Sequence, residues 1–385
     1  MTRNFTSLVA LCILALPIKS QVSNTGFVDT AGGEHIGKTT IGGFIDVYGN
    51  MPGVSREIPY MVSSARLGEM AVNLAMLDIR YNNENIRARL VPAFGTFINK
   101  NMAAEPVGLK NLVEASAGVR LSKKRNIWLD AGILGSPYTN ENPVSKDQML
   151  YTRSLSAENS PYYLCGAKLG MPLGKKLNAY IYLINGWQQM ADQNDQPAVG
   201  TQLEWTPNKN NIINWNTFIG YEETTLQPQF GKRYFSDLYW IGKLSKRWNA
   251  SACVYGGIQE VFKIPVFDST GILPMPEESN KLFHYWWNAN VQLKYSFENN
   301  LSISGRVEWF NDPHAVMQKS LNVKDGSYRT GSYSLCLNQT INKNAMLRLE
   351  YRRFFTGNDN VSIYPFNSGF RDNMDVISTS LSVWF

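Results

Sequence analysis

Beyond residue 20 the 385-residue sequence holds no apolar run as long as a membrane-spanning helix, which needs ~18 to 20 residues. That absence leaves strands as the one way for the mature chain to cross a bilayer. Histidine is scarce: His35, His284 and His314 are the only three. The histidines and cysteines are scattered, so no metal-ligand spacing occurs and no metal or cofactor is expected. Catalysis is not expected either. A barrel-borne hydrolase would need a serine and a histidine at its lipid-facing rim, whereas His35 precedes the first strand, His314 sits in a loop and His284 shares parity with polar positions.

Charge is also sparse, at 18% of residues, and no dense Lys/Arg block occurs, so nucleic acid is not an expected partner. The run Lys123, Lys124, Arg125 reads as a solvated turn. Apart from Cys12 the cysteines are Cys165, Cys253 and Cys336. An odd number inside predicted strands argues against a disulfide framework and for small packing residues.

What is present begins with Arg3, the apolar run Phe5 to Ile18, and Ser20 before Gln21. This is the layout of a secretory signal peptide over residues 1–20. Cleavage would take Arg3 and Lys19 from the formal charge of +6. Lipidation at Cys12 is disfavoured, because Leu11 is large where such processing sites take a small residue. The 12% aromatic content, 30 Gly and 19 Tyr suit strands and turns, and the fold is expected to be all-β.

The segment WNANVQLKYSF puts Trp287, Ala289, Val291, Leu293, Tyr295 and Phe297 on one face, and Asn288, Asn290, Gln292, Lys294 and Ser296 on the other. After Glu298, Asn299 and Asn300 the alternation resumes with Leu301, Ile303, Gly305, Val307 and Trp309, so the pair reads as an antiparallel hairpin. Val113 to Leu121 and Ile127 to Ile133 form another, around Ser122 to Asn126. Further short turns fall at 82–85, 172–176, 207–211, 245–247 and 341–344. They alternate with long polar connections at about 50–68, 99–111, 136–160, 185–197, 223–233, 260–283, 311–328 and 356–372. With a first strand near Thr39 to Gly49 and a last at Met374 to Phe385, this predicts about sixteen strands. Residues 21–38 form a short periplasmic segment, and 39–385 form one domain.

A secreted sandwich would explain alternation alone. Three features favour a closed transmembrane antiparallel β-barrel with short periplasmic turns and long extracellular loops. Aromatic residues stand at both ends of the apolar face: Trp205, Tyr295, Phe297 and Phe385 near short turns, and Tyr221, Trp287 and Trp309 near long loops. The apolar face of these strands carries no charge, as in Ile213, Trp215, Thr217, Ile219 and Tyr221. The sequence also stops inside its last strand at Phe385, as in outer-membrane barrels recognised by the barrel assembly machinery through a terminal Phe.

GFIDVYGN at Gly43 to Asn50, IWLDAGILGS at Ile127 to Ser136, YTRS at Tyr151 to Ser154, SPYYLCGAKL at Ser160 to Leu169, NGWQ at Asn185 to Gln188, RVEWFND at Arg306 to Asp312 and LRLEYRR at Leu347 to Arg353 together resemble the OmpL-like β-barrel porin family. The resemblance spans nearly the whole mature chain. It implies a Gram-negative outer-membrane porin, reached after signal-peptide cleavage, and no particular substrate.

Sixteen strands enclose an aqueous channel, so the expected function is passive diffusion of small hydrophilic solutes through a barrel in outer-membrane lipid. By parity the pore wall offers Arg87, Arg89, Arg120, Lys168, Lys294, Arg306, Arg348 and Arg352 against Asp46, Glu114, Asp130, Glu204, Glu308 and Glu350. Arg87, Arg89 and Arg120 form the sharpest basic patch and would give a weak anion preference. Arg306, Glu308, Arg348, Glu350 and Arg352 form a mixed ladder, which would do no more than neutralise itself if it is structural. By analogy with general porins the third long connection, with Glu141, Asp147, Arg153 and Glu158, is a candidate constriction; the plainer expectation is a surface loop. Lipid-facing Ala115, Ala117 and Ala131 would let copies pack closely as a homotrimer. The alternative is a surface-binding or adhesion protein anchored by a barrel without an open pore.

Overall fold

The computed structural model describes residues 34–36, 38–51, 57–58, 61–224, 227–262, 281–297, 300–317, 328–356 and 373–385. The signal peptide expected over residues 1–20, turn residues Glu298 and Asn299, and much of the connections at 50–68, 260–283, 311–328 and 356–372 lie outside the described residues.

Strand β1 (Glu34–Ile36) folds back on the start of β2 (Thr39–Met51), with Glu34 opposite Ile41. Next come β3 (Met70–Asn82), β4 (Ile86–Phe94), β5 (Leu112–Ser122), β6 (Ile127–Gly135), β7 (Tyr163–Pro172), β8 (Leu177–Ile184) and β9 (Ala198–Asn208). The second half comprises β10 (Asn211–Tyr221), β11 (Phe230–Lys243), β12 (Trp248–Phe262), β13 (Lys281–Ser296), β14 (Leu301–Asp312), β15 (Tyr328–Asn342), β16 (Ala345–Thr356) and β17 (Asn373–Trp384). From β2 onward each strand pairs antiparallel with the next, and β17 closes on β2 with Leu381 opposite Val47. The result is a closed barrel of 16 strands. The seven short connections fall where the sequence predicts them, all at one end of the barrel.

The alternation sets the two faces. Val291 and Leu293 are 59% and 41% exposed, whereas Asn290 and Gln292 are each 2% exposed. Apolar side chains therefore splay outward and polar ones point in, the arrangement that lets a barrel meet lipid while every backbone group stays paired. The seam closes through backbone bonds between Gly43 and Phe385, at 2.9 and 3.1 Å.

The inward face is not uniformly polar. Toward the long connections Phe218, Phe235, Tyr255, Trp286, Phe310 and Phe354 all point inward and are buried. They pack with Ile58, Met61, Ala65 and Leu67 of the first connection and with Tyr138 and Leu155 of the third. Where the wall faces inserted protein rather than water, burial selects apolar side chains. A short helix α1 (Thr96–Asn101) follows β4 and buries Phe97 and Ile98. Gly95, just before it, has φ +130 and would place a Cβ 2.3 Å from the Asn73 carbonyl, so glycine alone fits there.

Candidate functional site in the barrel lumen

The third long connection, residues 136–162, leaves β6, crosses the lumen and returns to β7. On the far wall it reaches β2 and every strand from β10 to β17. Its residues are buried except Asn142, Lys146, Asp147 and Met149. An irregular segment inside a barrel has no ladder to satisfy its backbone, so side chains must do so.

Three wall arginines take its carbonyl groups. Arg306 donates from Nη1 to the Thr152 oxygen at 2.6 Å, and Arg348 likewise to Ser145 at 2.6 Å. Arg352 Nη1 donates to the Arg153 oxygen at 2.8 Å. Three wall carboxylates take its amides: Glu350 accepts from Thr152 N at 2.8 Å, Glu308 from Leu155 N at 2.5 Å and Asp237 from Thr139 N at 2.6 Å. Asn140 donates to Ser251 Oγ at 2.7 Å, and Asn290 donates to Ser156 Oγ at 2.5 Å. Tyr151 donates to Asp46 at 3.3 Å, and the hydroxyls of Ser145 and Ser382 meet at 3.1 Å.

The wall charges are paired as they grip. Arg352 donates to Glu308 Oε1 at 2.6 Å, while Arg306 lies 3.2 Å from Glu308, 3.6 Å from Glu350 and 3.7 Å from Glu141. Arg306, Glu308, Arg348, Glu350 and Arg352 thus form a buried cradle for a backbone. Removing one partner from such a network strands another buried charge.

Within the connection, Glu141 accepts from Ser154 N at 2.7 Å, also takes the Ser154 hydroxyl, and receives Gln292 Nε2 at 2.9 Å. Arg153 donates to the Glu141 carbonyl at 3.0 Å and lies 4.0 Å over the Tyr162 ring. Glu158 accepts from Val62 N at 2.6 Å and from the Tyr162 hydroxyl at 2.9 Å, tying the first and third connections together. Burial pushes the Glu158 carboxyl above its usual range, with Arg153 and those hydrogen bonds opposing. A short helix α2 (Leu155–Glu158) starts with the Ser154 side chain accepting from Ala157 N. Asp147 pairs with Lys146 at 3.1 Å, its side chain 16% exposed.

The first basic patch is also paired. Arg87 binds Asp130 through two bonds of 2.5 Å, and Lys168 approaches the same carboxylate at 3.6 Å. Arg89 holds Asp78 at 2.8 Å and Glu114 at 2.9 Å. Arg80, Arg87, Arg89 and Lys168 line a cavity of about 150 Å³ with Glu114 and Asp130. Arg120 stands apart, donating to the Glu84 carbonyl at 3.2 Å and to Asn126 at 2.6 Å near a short turn. Sequence parity passed over Asp78 and Arg80, although Leu77-Asp78-Ile79-Arg80 alternates as clearly as Val291 to Tyr295. It also passed over inward Arg233 and Asp237. Adding these and Asp312 halves the cationic excess of the wall, from two to one.

His284 and His314 stack with ring centroids 4.2 Å apart at the extracellular end. Cys165, Cys253 and Cys336 are free thiols.

The model of a family described as "Putative beta-barrel porin-2, OmpL-like" matches residues 38–385. No curated protein matches. Among solved structures, the outer membrane channel DcaP of Acinetobacter baumannii is similar at TM-score 0.58 and 12% identity, covering 94% of this chain and 100% of that one. OmpT of Vibrio cholerae, in its trimer form, gives 0.53 at 9% identity, covering 90% and 99%. An anion-selective porin from Comamonas acidovorans gives 0.53 at 7% identity, also covering 90% and 99%. At these identities the likeness is one of fold.

Proposed function

Because the chain belongs to the "Putative beta-barrel porin-2, OmpL-like" family over residues 38–385, and so is an outer-membrane porin-type β-barrel, we propose that it is a passive channel for small hydrophilic solutes whose aperture is set by the third connection. The observation that carries this reading is the grip of Arg306, Arg348 and Arg352 on carbonyl groups of that connection. Sixteen strands enclose more space than wall side chains can fill, so what crosses the lumen limits what passes. The ionic cradle is spent on holding the connection, which leaves selectivity to the cavity lined by Arg80, Arg87, Arg89 and Lys168. One cation more than the carboxylates Asp78, Glu114 and Asp130 gives a weak anion preference there. Family and fold favour a channel over an enzyme.

The same burial supports a second reading. Almost every inward side chain at the level of the third connection is shielded, as in a barrel that anchors surface loops without conducting. Purified protein in a planar bilayer separates the two: stepwise current blocked by small but not large sugars supports the channel, and a silent membrane supports the anchor.

Assembly as a trimer is part of the proposal. An outward concavity of about 420 Å³ lies among Ile79, Tyr81, Ala88, Leu90, Ala115 and Ala117. Small residues there would let a neighbouring barrel approach closely.

A further inference from the structure

Among the described residues, outward charges on the barrel fall along one arc. Among the described residues no outward position on β2 to β10 carries a charge. On β11 to β17 six do, namely Lys232, Glu260, Lys281, Arg329, Arg353 and Asp375, and all lie toward the long-connection ends. Lys281 pairs with Glu260 at 3.0 Å, and Arg353 approaches Asp375 at 3.7 Å. For Lys232 and Arg329 no described carboxylate lies within ion-pair distance, and Arg329 Nε is shielded without an acceptor among the described residues.

These cations stand at the aromatic girdle or just beyond it. Lys232 follows Tyr234 along the outward face and lies 5.0 Å from the centre of the Tyr221 ring. Lys281 follows Phe283 and lies 5.9 Å from its ring. Arg329 lies beyond Tyr333, and Arg353 sits between Tyr351 and Phe355. Outward aromatics mark the boundary between hydrocarbon and headgroups. The cations therefore sit at headgroup depth, on the side of the membrane where long loops emerge.

Taking the outer-membrane placement as its basis, we propose that the arc from β11 to β17 binds the phosphate groups of the anionic glycolipid of the outer leaflet, with Lys232 and Arg329 as the phosphate-holding residues. An ammonium and a guanidinium at the interface with no ion-pair partner among the described residues each suit a phosphate, which accepts charge-assisted hydrogen bonds from either; standing four strands apart, they would hold different phosphates. The neighbouring rings offer flat apolar surface for the sugar and the first acyl carbons. The uncharged arc, with its small-residue concavity, remains for barrel-to-barrel contact.

The test uses the folded, lipid-free barrel in a zwitterionic detergent. Thermal unfolding is followed on titration with diphosphoryl lipid A, with the same lipid stripped of phosphates, and with inorganic phosphate. The expected result is a saturable rise in Tm with the diphosphoryl lipid alone. K232Q/R329Q should weaken its apparent affinity roughly thirtyfold, or roughly fivefold per cation removed, while single-channel conductance stays unchanged. If the double variant does not fold, K232Q alone should show the smaller effect. Equal stabilisation by the dephosphorylated lipid, an equal shift with inorganic phosphate, or a folded variant that binds like the parent would overturn the proposal. A barrel that binds the lipid but never conducts would refute the channel and leave this inference standing.

Discussion

Arg306 and Thr152, 154 positions apart, meet in the middle of the barrel: the guanidinium donates to the Thr152 carbonyl at 2.6 Å and to its hydroxyl at 3.0 Å. Glu141, Glu308 and Glu350 surround that guanidinium. Replacing Arg306 with Gln leaves these carboxylates under-compensated, at a cost of about 3 to 5 kcal/mol. R306Q should therefore loosen the third connection, giving larger or noisier unit currents and new cleavage by an external protease between residues 136 and 162. An unchanged current and cleavage pattern would count against the cradle.

The anion preference depends on partly compensated cations. Arg87 is the most exposed of them, with about a third of its side chain open (34%), and it faces Asp130. R87Q would unbalance that carboxylate and turn the cavity toward cations. In a tenfold KCl gradient the reversal potential should move by several millivolts in the cation direction; no movement would remove this cavity from the selectivity account.

Glu222, beside β10, accepts from Trp187 N at 2.9 Å, and burial raises its pKa from 4.5 to about 7 against the pull of Arg233. A carboxyl raised on folding is favourable while protonated, so its contribution is complete below pH 4.5 and is lost as pH rises to about 7. The window is worth at most about 3 kcal/mol. E222Q keeps the acceptor and cannot ionise, so its thermal midpoint should vary less than the parent's between those pH values. Parallel curves would contradict this.

At the seam, a Cβ on residue 43 would lie 2.3 Å from the Phe385 ring. G43V should push that ring aside and lower the fraction of heat-resistant, folded barrel on electrophoresis, by an overpacking cost of about 1 to 3 kcal/mol. F385A should partly restore refolding of the purified G43V barrel in detergent, where no assembly machinery acts. If G43V folds as well as the parent, the ring does not help hold the seam.

The architecture was legible because period two survives in nearly every strand, and because turn residues mark each short connection. Thr39 to Gly49 was readable as the first strand, and Val291 against Asn290 fixed which face was which. The inward path of the third connection was legible only by analogy, as a candidate constriction beside the plainer reading of a surface loop, because its partners lie in strands far along the sequence: Thr152 meets Glu350, and Ser145 meets Ser382. Wall residues such as Arg352 were placed on the inward side, but parity cannot tell a side chain in water from one holding a carbonyl. The apolar inward positions left a faint trace in pairs such as Trp286-Trp287, Trp309-Phe310 and Phe354-Phe355, where both parities are aromatic near the extracellular end. Such pairs signal that the inner wall there packs against protein.

The central claim is that residues 136–162 span the lumen and set its aperture. Single-channel conductance of the parent, compared with a variant in which residues 140–158 are replaced by a short Gly-Ser linker, tests it most directly. Removing the connection should raise unit conductance several-fold and admit larger sugars. Equal conductance and equal sugar cut-off in a folded variant would contradict the account.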